Sequence, residues 1–333
     1  MNLLDGSAGG GQLVRTALTL SAVTGEPFRM RHVRRARANP GLQAQHCAAI
    51  EAVAAACNAE TDGVEVGSES FTFEPGETGE EPDEFGGQVS VEVGTAGSVP
   101  LVFDALLPLA VVLDEPFTAH LEGGTDAKWA PPFDYFRHVK LPMLTENGLD
   151  ADATLKRRGF YPRGGGKATL TVRPSSLDPV EFTERGARES LTAYSVAEES
   201  MAGDDVAERQ VEAAPADADV NTEYAEADCS GSALVLAAEY EHANAGFAVL
   251  GEMGKEAETV GEEATEAFEA FEDGDAAVDS HLADQLVPFL ALAGGEVRVP
   301  EVTTHVETCI DLVTEFGYDV TVEDEGDTVL LSA

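Results

Sequence analysis

The chain has 333 residues, enough for one large domain or two modest ones with a sizeable core, and it sets 62 Asp plus Glu against 20 Lys plus Arg, a formal net charge of −42. An apolar fraction of 43% is ordinary for a globular protein, so general disorder is excluded, and the acid surplus suits the salt-rich cytoplasm of an extreme halophile, where screening acts within a few ångström. No apolar run nears the roughly 20 residues of a membrane span, Met1 to Asp5 lacks the basic start of a signal peptide, and four scattered cysteines have neither zinc spacing nor a disulfide framework, so a cytoplasmic protein with free thiols is expected.

The charge is unevenly spread. Residues 1–177 hold 15 basic against 23 acidic side chains, 178–280 hold 4 against 28, and 281–333 hold 1 against 11. Only five of the cations are lysines; the rest are arginines, the type suited to forked phosphate contacts.

In chain order, the apolar stripe Leu13, Ala17, Leu20 and Ala22 predicts a helix over 11–24 with Gly25 closing it. A second helix follows Asn39-Pro40-Gly41 and runs to about Ala59. Period-two alternation predicts strands at Phe71 to Pro75 and Val89 to Val93. The small-residue run Gly94 to Ser98 leads into an apolar helix through about Leu113, then come a strand at Phe117 to Leu121, a helix at Phe133 to Asn147 and a strand at Ala168 to Val172. Ala197 to Asp228 has little apolar periodicity and reads as a mobile, solvated face. Apolar helices are expected at Val278 to Leu292 and Val302 to Phe316. Small-residue loops opening apolar helices suggest an α/β core of repeated units.

Three basic or glycine-rich segments carry the candidate chemistry. Gly9-Gly10-Gly11 opens the first helix, where backbone N–H groups and the dipole favour an anion, and Arg15 lies one turn further on; it is no dinucleotide fingerprint, because GxGxxG is absent. Arg29, Arg31, Arg34, Arg35 and Arg37 fall within nine residues; strand alternation would put Arg34 on one face and the other four on the opposite one. Phosphate binding is the favoured reading, against pairing with the abundant carboxylates. Lys156 to Lys167 interleaves cations with Phe160 and Tyr161, as a single-strand surface would, with a tight hairpin as the equal alternative. Of the seven histidines, His32 and His46 neighbour the arginines, and His281, Asp284 and Gln285 share one face of a helix. His305 falls at a helix start. Spacing alone names neither His281 nor His305 as a nucleophile.

In order, the segments DGS…GGGQ…RTAL (Asp5 to Leu18), PGL with QH (Pro40 to His46), GTAGS (Gly94 to Ser98), GGTD (Gly123 to Asp126), GFYPRGGG (Gly159 to Gly166), LADQL (Leu282 to Leu286) and TxH (Thr303 to His305) resemble the RNA 3′-terminal phosphate cyclase family over almost the whole chain. The resemblance implies an α/β (α+β) fold in which 1–177 and 275–333 form a large domain of three repeated units, each a four-stranded sheet with two helices. An acidic α/β domain would be inserted at 178–274. It implies ATP-dependent conversion of an RNA 3′-phosphate end to a 2′,3′-cyclic phosphate, with His305 the catalytic nucleophile that takes AMP. Asp104 and the run His281, Leu282, Ala283, Asp284 and Gln285 would hold ATP, with His281 stacking on the base. Gln12, Arg15, Arg34, Arg37 and Gln45 would grip RNA and ATP phosphates, and Mg2+ or Mn2+ would neutralise the triphosphate. Partners are thus RNA 3′-phosphate ends and ATP, with no membrane.

The sequence departs from the family pattern at three places. The glycine loop is two residues short and lacks the family's Glu, Asp104 replaces a nucleotide-contacting Gln, and Cys309 replaces an Asn. A non-catalytic cyclase-like scaffold of ribosomal RNA processing is the alternative; such relatives lack the nucleophilic His, so His305 weighs against it. An enolpyruvyl transferase shares similar repeated units, but its basic sugar-acid site is not evident. Since the net charge repels RNA, binding is expected to rest on a few local arginines.

Overall fold

The computed structural model describes residues 1–76, 85–94 and 96–333; Thr95 of the GTAGS segment lies outside them. Among the described residues the chain is a mixed α/β protein with four four-stranded mixed sheets. The first sheet is formed by β1 (Asn2–Asp5), β2 (Phe28–Arg31), β3 (Glu60–Asp62) and β4 (Ser70–Glu74), with α1 (Gly11–Thr24) and α2 (Ala44–Ala56) between its strands. The second contains β5 (Gly87–Glu92), β6 (Phe117–Gly123), β7 (Ala151–Arg157) and β8 (Gly166–Val172), with α3 (Val99–Leu106), α4 (Phe133–Tyr135), a π-helical stretch Phe136–Lys140 and α5 (Leu141–Glu146).

After β9 (Val180–Phe182), the chain forms β10 (Arg188–Glu198), α6 (Val206–Val211), β11 (Asp219–Ala225), β12 (Ser232–Tyr240), β13 (Asn244–Leu250) and α7 (Ala257–Glu272). It then returns through α8 (Ser280–Ala293), β14 (Gly295–Val299), α9 (Thr304–Glu315), β15 (Thr321–Asp324) and β16 (Val329–Ser332). Sheet orders are β1-β2-β4-β3, β5-β6-β8-β7 and β15-β16-β14-β9, and a fourth, β11-β10-β12-β13. In the first three, one edge pair is parallel and the other two pairs are antiparallel, so the same β-α-β-α-β-β path is drawn three times. Strand β9, which a boundary at 178 would place in the acidic insert, pairs in parallel with β14 of the third sheet.

Local sequence explains the elements that hold the site. Helix α1 buries Leu13, Val14, Ala17, Leu18 and Leu20, and its buried Thr19 hydroxyl is satisfied by the Ala105 carbonyl at 2.9 Å. It ends at Gly25, whose φ of 73° lies in the left-handed region a side chain would resist. In α8 the buried Asp279 caps the N-terminus, accepting from the backbone N–H groups of His281 (2.8 Å) and Leu282 (3.1 Å). In α9 the Thr303 hydroxyl accepts from Val306 N at 3.3 Å. One continuous core joins α1, α2, α3, α8 and α9 to the first three sheets, and a second packs β10, β12 and β13 against α7. Across the first core Phe28 stacks on Phe73 and meets Phe71 and Phe316 edge-on.

Two expectations fail here. The arginine strand stops at Arg31, because His32 and Arg34 adopt φ of 55° and 53° and turn the chain. Arg34, Arg35 and Arg37 therefore project from a turn, with no strand alternation. The acidic stretch Ala197 to Asp228 is ordered secondary structure, containing the end of β10, α6 and β11. Val206 and Ala207 of α6 pack against Ala197 and Ala257, while Asp219 to Glu223 of β11 are exposed, so the stretch is solvated as expected but ordered.

Candidate active site

The glycine loop, the arginine turn and the start of α9 converge. Gly9, Gly10 and Gly11 are required by close approach: a Cβ on Gly9 would lie 2.4 Å from Leu13 Cδ1, one on Gly10 3.0 Å from Arg37 Nη2, and one on Gly11 2.3 Å from His46 Nε2 and 3.4 Å from Arg15 Nη1. The backbone at the N-terminus of α1 is thus walled by two guanidinium groups and an imidazole, a cradle suited to an anion. Arg37 Nη2 also lies 3.4 Å from His305 Nε2. A guanidinium has no acceptor, so Nε2 accepts and carries the lone pair, leaving the ring proton on Nδ1.

His46 is 2% exposed. Its Nδ1 accepts from the Gln43 backbone N–H at 2.8 Å, so the proton of the neutral ring sits on Nε2, which has no partner among the described residues and faces Gly11. Burial, followed by the charges of Arg34 and Arg15, pushes its pKa down to about 3. Between about pH 6.5 and 3 the unfolded chain therefore binds a proton that the folded chain refuses, and stability falls as pH falls through that window. In His46→Asn, the pH-linked loss between pH 6.5 and 4.5, read from denaturant midpoints at constant salt, is expected to be smaller than in the wild type by about 2 kcal/mol. Equal slopes in the two proteins would refute it.

A small cavity lies between α1, α3, the 133–146 helical run and α8, lined among others by Gln12, Arg15, Asp104, Lys140, Asp284 and Gln285. Gln12 Nε2 donates to Thr308 Oγ1 at 3.2 Å, tying the glycine loop to α9 one turn past His305. Lys140 Nζ donates to Asp104 Oδ1 at 2.7 Å and to Gln285 Oε1 at 2.9 Å. Burial raises the Asp284 carboxyl, against the lowering charges of Arg15, His305 and Lys140, which places this acid among the cations beside the nucleophile candidate.

The other expected residues divide. Arg34 Nη1 donates to the carbonyls of Asn39 and Gly41, both at 2.9 Å, and holds the turn that presents Arg37. Gln45 Oε1 accepts from Ser98 N at 3.1 Å and anchors the loop before α3. His281 parts from Asp284 and Gln285: it is exposed, meets Tyr135 edge-on at 6.3 Å, and borders a separate cleft between β13, α7 and α8. Leu282 and Ala283 are buried in the core, and their backbone N–H groups already bond Asp279, so neither offers a contact to a nucleotide.

The second basic stretch is largely consumed. Arg158, 5% exposed, pairs with Asp134 (2.7 Å), Glu223 (3.0 Å) and Asp126 (3.5 Å), and Arg157 pairs with Asp228 (2.7 Å). Its role is to join the second sheet to the β11 region. Cys309 is buried against the Thr16 hydroxyl at 3.9 Å and its thiol is pushed up to about 12 by burial, so this departure from the family pattern falls on helix packing and leaves an inert thiol. Lys140 escaped the sequence reading. The available signal was its place on the stripe Phe133, Phe136, Lys140, Met143 and Leu144, a lone cation at helical spacing among apolar side chains.

A family model described as RNA 3′-terminal phosphate cyclase matches residues 7–322. A Halobacterium salinarum protein called RNA 3′-terminal phosphate cyclase is 67% identical over 339 residues, covering 100% of both chains. Proteins of the same name from Pyrococcus furiosus and Archaeoglobus fulgidus are 40% and 39% identical, covering 95% and 98% of this chain and 93% and 99% of their own. Among the described residues no helix is long and apolar enough to cross a membrane.

Proposed function

Since the chain belongs to the RNA 3′-terminal phosphate cyclase family and is an enzyme of that kind, we propose that it cyclises RNA 3′-phosphate ends through a covalent AMP adduct on His305. The observation that carries this reading is the contact between Arg37 and His305 beside the glycine cradle: it leaves the Nε2 lone pair facing a site built for phosphate.

In the first step Nε2 attacks the α-phosphate of ATP, a P–N bond forms, the bond from Pα to the β-phosphate oxygen breaks, and pyrophosphate leaves. The incoming phosphate displaces Arg37 from Nε2 and takes it as a counter-charge. The cradle of backbone N–H groups, Arg15 and His46 Nε2–H holds the phosphates in line. In the second step an oxygen of the RNA 3′-phosphate attacks the adenylylated phosphorus and the P–N bond breaks, restoring His305. In the third the 2′-hydroxyl attacks the 3′-phosphorus, loses its proton, and expels AMP, closing the cyclic diester.

A divalent ion carried by the triphosphate supplies charge neutralisation for the leaving pyrophosphate. Asp284, which lines the cavity beside Gln12 and Arg15, is the carboxylate that would meet such an ion; one carboxylate with phosphate oxygens is an ordinary magnesium donor set. The same reading divides the chain into three β-α-β-α-β-β units with an insert between β9 and α8. The pairing of β9 with β14 supports an insert starting after Phe182, a few residues later than composition suggested.

The test uses RNA with a labelled 3′-phosphate, ATP and high potassium chloride. The label is expected to become phosphatase-resistant with release of one AMP per end, while RNA ending in a 3′-hydroxyl consumes no ATP. Label that stays phosphatase-sensitive in folded protein would overturn the reading.

A further inference from the structure

Lys140 has no role in the reaction described above, yet its setting is unusual. It is one of five lysines in the chain, is 1% exposed, and spends two ammonium protons on Asp104 and Gln285. Gln285 is engaged at both ends, because its Nε2 donates to the His281 carbonyl at 2.7 Å. The second carboxylate oxygen of Asp104 and the third proton of Lys140 have no protein partner among the described residues, and both side chains line the cavity beside Arg15. That cavity holds about 20 Å³, room for one water or hydroxyl and far too little for a ring.

An ion pair this buried, 1% and 9% exposed at the side chains, adds little stability over an apolar pair of the same volume. Its value lies in polar recognition. Asp104 stands where the family pattern has a Gln, so the donor and acceptor of one amide are here supplied by two residues. A phosphate is excluded as the group recognised, since the pair is neutral overall and presents a carboxylate. A base is excluded by size.

We propose that Lys140 is a specificity-determining positioning residue that fixes Asp104 against the cavity through their 2.7 Å ion pair, where the pair reads one ribose hydroxyl of the nucleotide: Asp104 accepts its proton and Lys140 donates to its oxygen. This rests on the reading that ATP binds beside His305, with one ribose hydroxyl entering the cavity. Removing Lys140 takes away both the partner that orients the Asp104 carboxylate and the donor to the hydroxyl oxygen, and leaves a buried carboxylate without its counter-charge.

Calorimetric titration of ATP, 2′-deoxyATP and 3′-deoxyATP into wild type, Lys140→Met and the double variant Asp104→Gln/Lys140→Met tests this. Wild type is expected to bind ATP about 10- to 100-fold tighter than one of the two deoxynucleotides. Lys140→Met should shrink that ratio to within about threefold, and the double variant, whose neutral amide needs no counter-charge, should regain most of the ATP affinity. A folded Lys140→Met with the wild-type ratio overturns the proposal, as does a wild type that binds both deoxynucleotides as tightly as ATP. If Lys140→Met does not fold, Lys140→Gln replaces it, and the wild-type ratio remains decisive. Wild type with the expected ratio but no AMP adduct would remove the adenylylation reading and leave Lys140 standing; an adduct with equal affinities would remove the Lys140 inference alone.

Discussion

His305→Ala is expected to form no protein–AMP adduct from α-labelled ATP, and its conversion of RNA 3′-phosphate ends to fall by roughly 10⁴-fold or more. The size of the effect follows from the chemistry. In the proposed reaction Nε2 is both nucleophile and leaving group, and the nitrogen 3.4 Å away on Arg37 belongs to a guanidinium, which has no lone pair to attack with. ATP affinity should change by only a few-fold, because the cradle of Gly9 to Gly11, Arg15 and His46 is intact and His305 is exposed, so its truncation opens no core cavity. Label transfer in denaturing gels and ATP binding by calorimetry separate the two effects. An adduct of wild-type yield in the variant would refute the assignment.

The second large effect is on stability. Arg158→Met is expected to destabilise the protein by about 3–5 kcal/mol at pH 7.5, because it leaves Asp126 and Asp134 buried without their counter-charge. Burial holds the Asp126 carboxyl up at about 6 even with Arg158 present, whereas the surrounding carboxylates raise Arg158 itself and keep it charged. Burial dominates at the acid, and attraction dominates at the base. With a folded pKa above its unfolded one, Asp126 is most easily accommodated when protonated, so the deficit of Arg158→Met should shrink as pH falls from 7.5 towards 5. Glu223 is 57% exposed at its side chain and contributes little. Urea midpoints in constant potassium chloride at the two pH values measure this. A loss under about 1 kcal/mol would show that the network is dispensable.

Both effects bear on what the residues alone made legible. Helix α1 was read to its ends because its apolar stripe, its opening glycines and Gly25 agree. The acidic stretch 197–228 carries little pattern because β11 is exposed from Asp219 to Glu223 and α6 buries only Val206, Ala207 and Gln210. At the candidate site Arg15 and Arg37 both stand against the glycine loop, and it is a turn set by positive φ at His32 and Arg34 that brings Arg37 there; no run of alternation encodes that. Arg158 shows the converse. Its basic, aromatic neighbourhood looked like an RNA surface, yet its partners Asp126, Asp134 and Glu223 lie up to 65 residues away in sequence. His281 also looked coupled to Asp284 by helical spacing, and the fold sends them into different clefts.

The acid surplus that opened the sequence reading does not govern the site. At the glycine loop the groups pressed against the backbone are Arg15, Arg37 and a neutral His46, so the local environment attracts phosphate within an envelope of −42.

The most direct measurement is peptide mapping of the trapped adduct. Wild-type protein incubated with ATP and a divalent ion in high potassium chloride, digested at alkaline pH, is expected to carry one AMP on the α9 peptide, at a ring nitrogen of His305, with the label lost in acid and kept in alkali. AMP on His281, on Lys140 or on any other residue, or no adduct in folded protein, would contradict the account.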